Sequence, residues 1–296
     1  MRTVMVSLKN HLEKNEVETM SKFLSRAFET GLCVSLTFTT LTTSAFAGAW
    51  TAPKGAVYSK SAVNYFTSTE RFGDALPSFE RFRDVNFTYY TEVGLQDNLT
   101  LFGAVAVKDL RNTADGVTTD NFGVGDVDIG LRYNFFNEPF VFSAQGLFKA
   151  PFLYDEDADL PLGNGQIDVE GRLLVGKSLG ALGYVGAEAG YRFRADAPVD
   201  EFRYLVEYGF DLTSDLYLRT KLDGTLGLGD IDEFDLELAN AANPSLPLAF
   251  DLGKLEYTAG YKLTKTWAVE VTGTTNIYGD NTLRGTNIQF AIVGQF

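Results

Sequence analysis

From about residue 55 onward, apolar and polar residues alternate one by one, the two-residue period of a β-strand with unlike faces. At the end of the chain Ile288, Phe290, Ile292 and Phe296 share one face and Asn287, Gln289 and Gln295 the other, with Gly294 interrupting the apolar row. Over 127–136, Val127, Ile129, Leu131, Tyr133 and Phe135 oppose Asp128, Gly130, Arg132 and Asn134. Over 202–212, Phe202, Tyr204, Val206, Tyr208 and Phe210 oppose Arg203, Glu207 and Asp211. The pattern predicts twelve strands, near 56–67, 85–95, 99–110, 127–136, 140–150, 167–178, 181–195, 202–212, 216–226, 255–263, 267–278 and 287–296. Lengths near ten residues suit a tilted strand that crosses a bilayer.

The connections fall into two kinds that alternate strictly. Tight turns are expected at 96–98, 137–139, 179–180, 213–215 and 264–266, and longer loops at 73–84, 111–126, 152–166, 196–201, 227–251 and 279–286. Outer-membrane barrels have this arrangement, with short turns on the periplasmic side. Phe135, Phe140, Phe210, Trp267 and Phe296 stand beside the short turns, where an interfacial aromatic girdle belongs. A long alternating strand left unpaired at a chain end is a template for aggregation, and closing it on the first strand removes that edge. The expected fold is all-β, an antiparallel up-and-down transmembrane β-barrel of about 12 strands. The final strand resembles the closing strand of bacterial outer-membrane barrels, which typically ends on Phe. That resemblance implies that Phe296 serves barrel closure and recognition by the outer-membrane assembly machinery.

Composition narrows the class further. Gly (29), Phe (24) and Tyr (14) are plentiful and Met (3) is scarce, and no stretch beyond the N-terminal region has the roughly 18 consecutive apolar residues of a spanning helix. A net charge of −14 argues against nucleic acid as a partner, because binding phosphates requires a basic surface. Near the N-terminus, Lys22 and Arg26 precede a weakly apolar run at 31–38, and Ala45-Phe46-Ala47 before Gly48 fits a small-x-small cleavage site. Residues 1–47 are therefore expected to be an N-terminal extension plus signal peptide that is removed, starting from Met1 or Met20, and 48–296 the barrel. His11 and Cys33, each the sole residue of its type, fall in the removed part. The processed chain then has no means for disulfides, thiol or Ser-His-Asp catalysis, or His/Cys metal ligation. No EF-hand loop or nonapeptide repeat is present, so neither a specific metal site nor a cofactor is expected.

Charges on the polar strand faces are nearly balanced, whereas the long loops carry the acidic excess, including Asp155, Glu156, Asp157 and Asp159, and Asp230, Asp232, Glu233, Asp235 and Glu237. Asp128, Arg132, Asp168, Glu170, Arg172, Glu188, Arg192, Arg194, Arg203, Glu207 and Arg219 are expected to form an ion-pair ladder inside the barrel. Twelve strands spaced about 4.8 Å apart and tilted about 40° give a backbone radius of about 12 Å. Inward Arg and Glu side chains would span much of that width, which predicts a narrow or closed path.

Gly123-Val124-Gly125-Asp126 leads into 127–136, followed by Lys149-Ala150-Pro151 and then Gly163-Asn164-Gly165-Gln166-Ile167-Asp168. This run of some fifty residues resembles the bacterial outer-membrane family of MetA-pathway phenol-degradation transporters, which share a Gly-x-Gly-Asp strand start and a Pro-containing rim. The resemblance implies passage of small hydrophobic or aromatic compounds. The acidic loop after the rim is longer here than in that pattern, and Trp50-Thr51-Ala52-Pro53 is too short for the N-terminal hatch of long-chain fatty-acid transporters, so any plug is expected to come from a loop. The longest loop, 227–251, is the candidate lid. Ile231, Phe234, Leu236, Leu238 and Phe250 would meet a ligand, and 232–243 is expected to hold a short amphipathic helix before Pro244.

The functional expectation is a channel in the outer membrane of a Gram-negative bacterium that takes up small hydrophobic or aromatic solutes passively, without enzymatic chemistry, in contact with lipid and lipopolysaccharide. The competing classes are a non-transporting structural or surface barrel and a His-independent outer-membrane enzyme.

Overall fold

The computed structural model describes residues 48–296 apart from 74–78, 197, 233, 234, 236–238 and 240. The expected leader and cleavage-site residue Ala47, with His11 and Cys33, lie outside the described residues. Twelve strands follow one another: β1 (Val57–Phe72), β2 (Arg81–Gln96), β3 (Leu99–Ala114), β4 (Val117–Phe136), β5 (Val141–Ala150), β6 (Asp168–Ser178), β7 (Tyr184–Arg194), β8 (Glu201–Asp211), β9 (Leu216–Gly227), β10 (Asp251–Lys262), β11 (Trp267–Asp280) and β12 (Thr282–Gln295). Each pairs with its chain neighbours, and β12 also pairs antiparallel with β1, so the sheet is a closed barrel. At the seam, Phe296 and Val57 exchange backbone hydrogen bonds of 2.8 and 2.9 Å, and the Phe296 ring meets Trp267 edge-on at 5.1 Å.

The two faces of the strands invert the usual order of a water-soluble protein. Outward residues are large and apolar yet exposed, as with Ile129, Leu131, Val206, Ile288, Phe290 and Ile292. Inward residues are polar yet buried, as with Thr100, Arg132, Asp168, Glu170 and Glu270. An apolar band of this kind is stable against lipid, while closure satisfies every strand edge inside the membrane. Beside the short turns, Phe135, Phe136, Phe140 and Phe142 form a chain of ring contacts 6.0 to 6.4 Å apart, Tyr208 stacks on Phe210 at 5.5 Å, and Lys177 Nζ lies 4.5 Å from the Phe140 ring centroid. This end carries the aromatic girdle.

Two stretches expected as loops are strand instead. β3 and β4 continue through 111–126 to a two-residue turn at Asp115-Gly116, whose φ values of 50° and 74° make the twist-matched hairpin turn that an Asp-Gly pair favours. β11 and β12 likewise extend to meet at Asn281, with φ 48°. Polar residues stand on both faces of these stretches, so the hairpins project past the apolar band and the loss of hydrophobic contrast does not end the strands.

Candidate functional site

The lumen is occupied at the short-turn end by the segment before β1. This corrects the expectation that the lead is too short to plug the barrel. The segment needs no fold of its own, because it borrows partners from the wall. Ser143 Oγ donates to the Ala49 carbonyl (2.5 Å), an Arg132 guanidinium N–H donates to the Trp50 carbonyl (3.0 Å), and Ala52 N–H donates to Thr100 Oγ1 (2.8 Å). Ala49 and Trp50 pack against the inward Val141 and Leu174, and the Trp50 ring lies edge-on to Tyr184 at 5.7 Å. Two inward glycines make room. A Cβ on Gly176 would meet the indole at 2.5 Å, and one on Gly94 would meet the Pro53 carbonyl at 1.9 Å.

Around and above the plug runs a network of buried ion pairs across β5 to β8. Glu170 lies 2.6 Å from Arg172, 2.8 Å from Arg192 and 3.6 Å from Arg203. Asp168 meets Lys149 at 3.2 Å and Arg192 at 3.5 Å, and Arg194 lies 3.0 Å from Glu201. Arg172 also reaches Glu188 (2.6 Å), and Glu207 faces Lys221 at 3.7 Å. Three members of the expected ladder have other surroundings. Arg132 turns toward Glu92 (3.2 Å), while one carboxylate oxygen of the half-buried Asp128 has no hydrogen bond among the described residues. Arg219, on β9 beside β8, belongs to a second cluster, 3.5 Å from Glu270, which also binds Lys60 (2.7 Å) and accepts from Tyr217 (2.9 Å). Glu201 belongs to this machinery although the sequence suggested a loop position for it, because β8 begins one residue earlier than its apolar alternation does.

The far end of the lumen is covered by two interlocked loops. In 151–167, Leu160 and Leu162 are fully buried against Phe82, Leu110 and Leu283. The Gly-x-Gly-Asp motif is their seat. A Cβ on Gly123 would strike Leu162 at 2.8 Å, Lys108 Nζ beside Gly125 donates to the Leu162 carbonyl (3.0 Å), and Asp126 accepts from the Tyr154 hydroxyl (2.7 Å) and pairs with Lys149 (3.3 Å). Tyr154 lies outside the membrane-spanning strands. Burial first, and the Asp126 carboxylate next, hold its phenol above the ordinary tyrosine value. The second loop, 227–251, docks on the first through Asn243 Nδ2, which donates to the Pro161 carbonyl (2.7 Å). Helical residues 241 and 242 precede Pro244, and Asn243 N–H donates to the Ala239 carbonyl (3.1 Å). Of the five lid residues expected from sequence, Ile231 and Phe250 are half-buried, and Phe234, Leu236 and Leu238 lie outside the described residues. The cover is thus shared, and its buried apolar anchor is the loop the sequence did not single out. A Leu-Pro-Leu stretch (160–162) inside an otherwise acidic loop was the available signal.

Between plug and cover, on the side of β1, β2 and β10 to β12, lies a cavity of about 400 Å³. Amides and hydroxyls dominate its wall, among them Asn64, Asn86, Thr88, Thr272 and Gln289, with Phe66, Leu252 and Leu283 as apolar members and Lys254 and Glu256 as charged ones. Asn64 is the hub, donating to Asn86 Oδ1 (2.9 Å) and accepting from Gln289 Nε2 (2.8 Å).

No protein-family model matches the chain, and no curated protein matches it in sequence. Solved structures do match. An outer-membrane channel from Pseudomonas putida F1 superposes with a TM-score of 0.68 at 16% identity, covering 84% of this chain and 98% of that one. The fold is that of an outer-membrane barrel. The NanC porin (TM-score 0.53, 9% identity, 80% and 98% covered) and the translocator domain of the autotransporter NalP from Neisseria meningitidis (0.50, 10%, 83% and 90%) share it. At these identities the likeness is one of architecture, and it agrees with the fold that the resemblance carried by Gly123 to Asp126 implies.

Proposed function

We propose that this protein is an outer-membrane channel for passive uptake of small uncharged molecules that combine an apolar ring or chain with a polar group, small aromatic compounds among them, in the outer membrane of a Gram-negative bacterium. The observation that carries this reading is the cavity of about 400 Å³, lined mostly by neutral amides and hydroxyls together with Phe66, Leu252 and Leu283, with Lys254 and Glu256 as its charged members. Sites that hold small molecules combine apolar walls with a few convergent polar groups. Amides can trade partners with a passing hydroxyl at a net cost of about 1 kcal/mol per bond. The architecture shared with an outer-membrane channel supports the same reading.

A non-transporting barrel is the second reading, and it is favoured by the material at both ends of the lumen: Ala49 and Trp50 at one, Leu160 and Leu162 at the other. The two separate in liposomes bearing the purified barrel. Entry beyond that into protein-free liposomes should be greater for phenol than for a phenolsulfonate of similar size, and the difference should shrink when Gln289 and Asn64 are both replaced by Lys, which would draw the anion in. Entry of each solute no faster than into protein-free liposomes, with correctly folded barrel, would leave the non-transporting reading standing.

A further inference from the structure

We propose that the lumen contains a docking site for the α-ammonium group created when the chain is cut between Ala47 and Gly48, formed by Glu188 and Glu207. The proposal rests on the reading of residues 1–47 as a removed leader. Two carboxylates converge on Gly48. A group placed where its Cβ would be lies 3.1 Å from Glu207 Oε1 and 3.2 Å from Glu188 Oε1. The other oxygens are engaged, Glu188 Oε2 with Arg172 at 2.6 Å and Glu207 Oε2 with Lys221 at 3.7 Å. Glu207 is 3% exposed, and its Oε1 is buried without a hydrogen-bond partner among the described residues. A buried carboxylate oxygen left without a donor is costly, and here it is aimed at the position where a donor would arise.

Glycine is what lets the donor reach it. In a processed chain, Gly48 N is bonded only to its Cα, and rotation about the Cα–C bond by a third of a turn carries the nitrogen to the tetrahedral position of a Cβ. In any other residue the same turn swings the side chain into the place of an Hα, so only glycine makes it without moving a side chain. Cleavage by a signal peptidase adds one water across the Ala47–Gly48 peptide bond, leaving a carboxylate on Ala47 and an ammonium on Gly48. The ammonium supplies three donors and one positive charge to the two facing oxygens. Processing would thereby lock the plug, since Ala49 and Trp50 follow immediately and are held by Ser143 and Arg132.

The test uses Trp50 as its reporter. The chain has two tryptophans, so in a Trp267→Phe background Trp50 alone reports on plug docking. The first measurement is the intact mass of protein extracted from outer membranes, expected to begin at Gly48; a different start overturns the processing reading and the proposal with it. The second is acrylamide quenching of Trp50 in four folded chains: the processed protein and one with a serine inserted between Ala47 and Gly48, each with and without Glu207→Gln. A charge-assisted bond of this kind is worth about a tenfold change in an equilibrium, so Glu207→Gln should raise the undocked fraction about tenfold in the processed protein. In the serine-extended chain, whose ammonium is displaced, the same substitution should change little. Equal effects in the two chains would overturn the ammonium site while leaving the processing reading intact. Should Glu207→Gln yield no folded barrel, Glu188→Gln takes its place in the cycle.

Discussion

The two sides of the lumen solve the burial of polar groups in opposite ways. On β5 to β8 the inward residues are charged and fixed to one another, with Glu170 shared among three arginines. On β1, β2, β11 and β12 they are mostly neutral, with Asn64 at the centre of an amide network. Removing one member of a buried ion cluster strands the others in a medium that solvates them poorly, so a charged wall resists rearrangement. Neutral amides lose little when a bond is exchanged. On the proposed reading the charged side is the scaffold and the neutral side the flank along which a solute would move, and it is beside the neutral side that the cavity lies.

The comparison breaks most readily at Glu170, whose carboxylate is 1% exposed. Glu170→Ala leaves Arg172, Arg192 and Arg203 facing one another on three neighbouring strands. It should cost about 3–5 kcal/mol, read as a lower unfolding temperature in heat-modifiable electrophoresis, and Glu170→Gln should recover only part of the loss. A wall that tolerated Glu170→Ala unchanged would not be a scaffold.

Next in size is the cover that both sides share. Leu162 is 2% exposed and sits in the notch left by Gly123. Leu162→Ala should cost about 2–4 kcal/mol and expose the 151–167 loop to protease in detergent-solubilised protein. Gly123→Val should expose the same loop without removing any apolar surface, because its side chain would collide with Leu162. Unaltered proteolysis in both variants would mean that the motif does not seat the loop.

How much of this was legible in the sequence follows from the range of each interaction. Strand number, face assignment and the seam at Phe296 could be read because alternation is local and each strand pairs with its neighbour in the chain. The charged positions were legible as inward, and so was the pairing of Asp168, Glu170 and Arg172 with Glu188, Arg192 and Arg194 on the next strand, but partners on more distant strands were not. Arg132 reaches past Asp128 to Glu92 because side-chain length and barrel stagger, not sequence spacing, decide which ends meet. The plug was hidden because residues 49–56 carry no pattern, and their binding surface is assembled from Thr100, Ser143, Leu174 and other residues far apart in sequence. Inward glycines at Gly94 and Gly176 were the only trace of it.

On the neutral side the expected change is functional before it is structural. Asn64→Ala removes the hub of the amide network and should cost only about 1 kcal/mol, because its partners can rebond to each other or to water in the cavity. In liposome uptake the same substitution should favour benzene-like solutes over phenol-like ones, since the wall loses its most connected polar group. A stability loss as large as that of Glu170→Ala would erase the distinction between the two sides.

The smallest effect sharpens the comparison where the charged side meets the cover. The Tyr154 hydroxyl donates to Asp126, which also pairs with Lys149, and accepts from Gly165 N–H at 3.0 Å. Because its phenol is held above the ordinary value, the folded loop keeps the proton more tightly than the detached loop does. The resulting stabilisation is complete below about pH 10, the ordinary tyrosine value, and declines as the pH rises past it toward the folded value. An environment-sensitive dye on Asp157→Cys should therefore report loop release on the alkaline side, worth about 1 kcal/mol at most. Tyr154→Phe removes both the proton and the bond, so that loop should be looser at neutral pH and should lose this alkaline dependence. A dye response with the same alkaline midpoint in Tyr154→Phe would assign the transition to another group and remove Tyr154 as the latch between Asp126 and the cover.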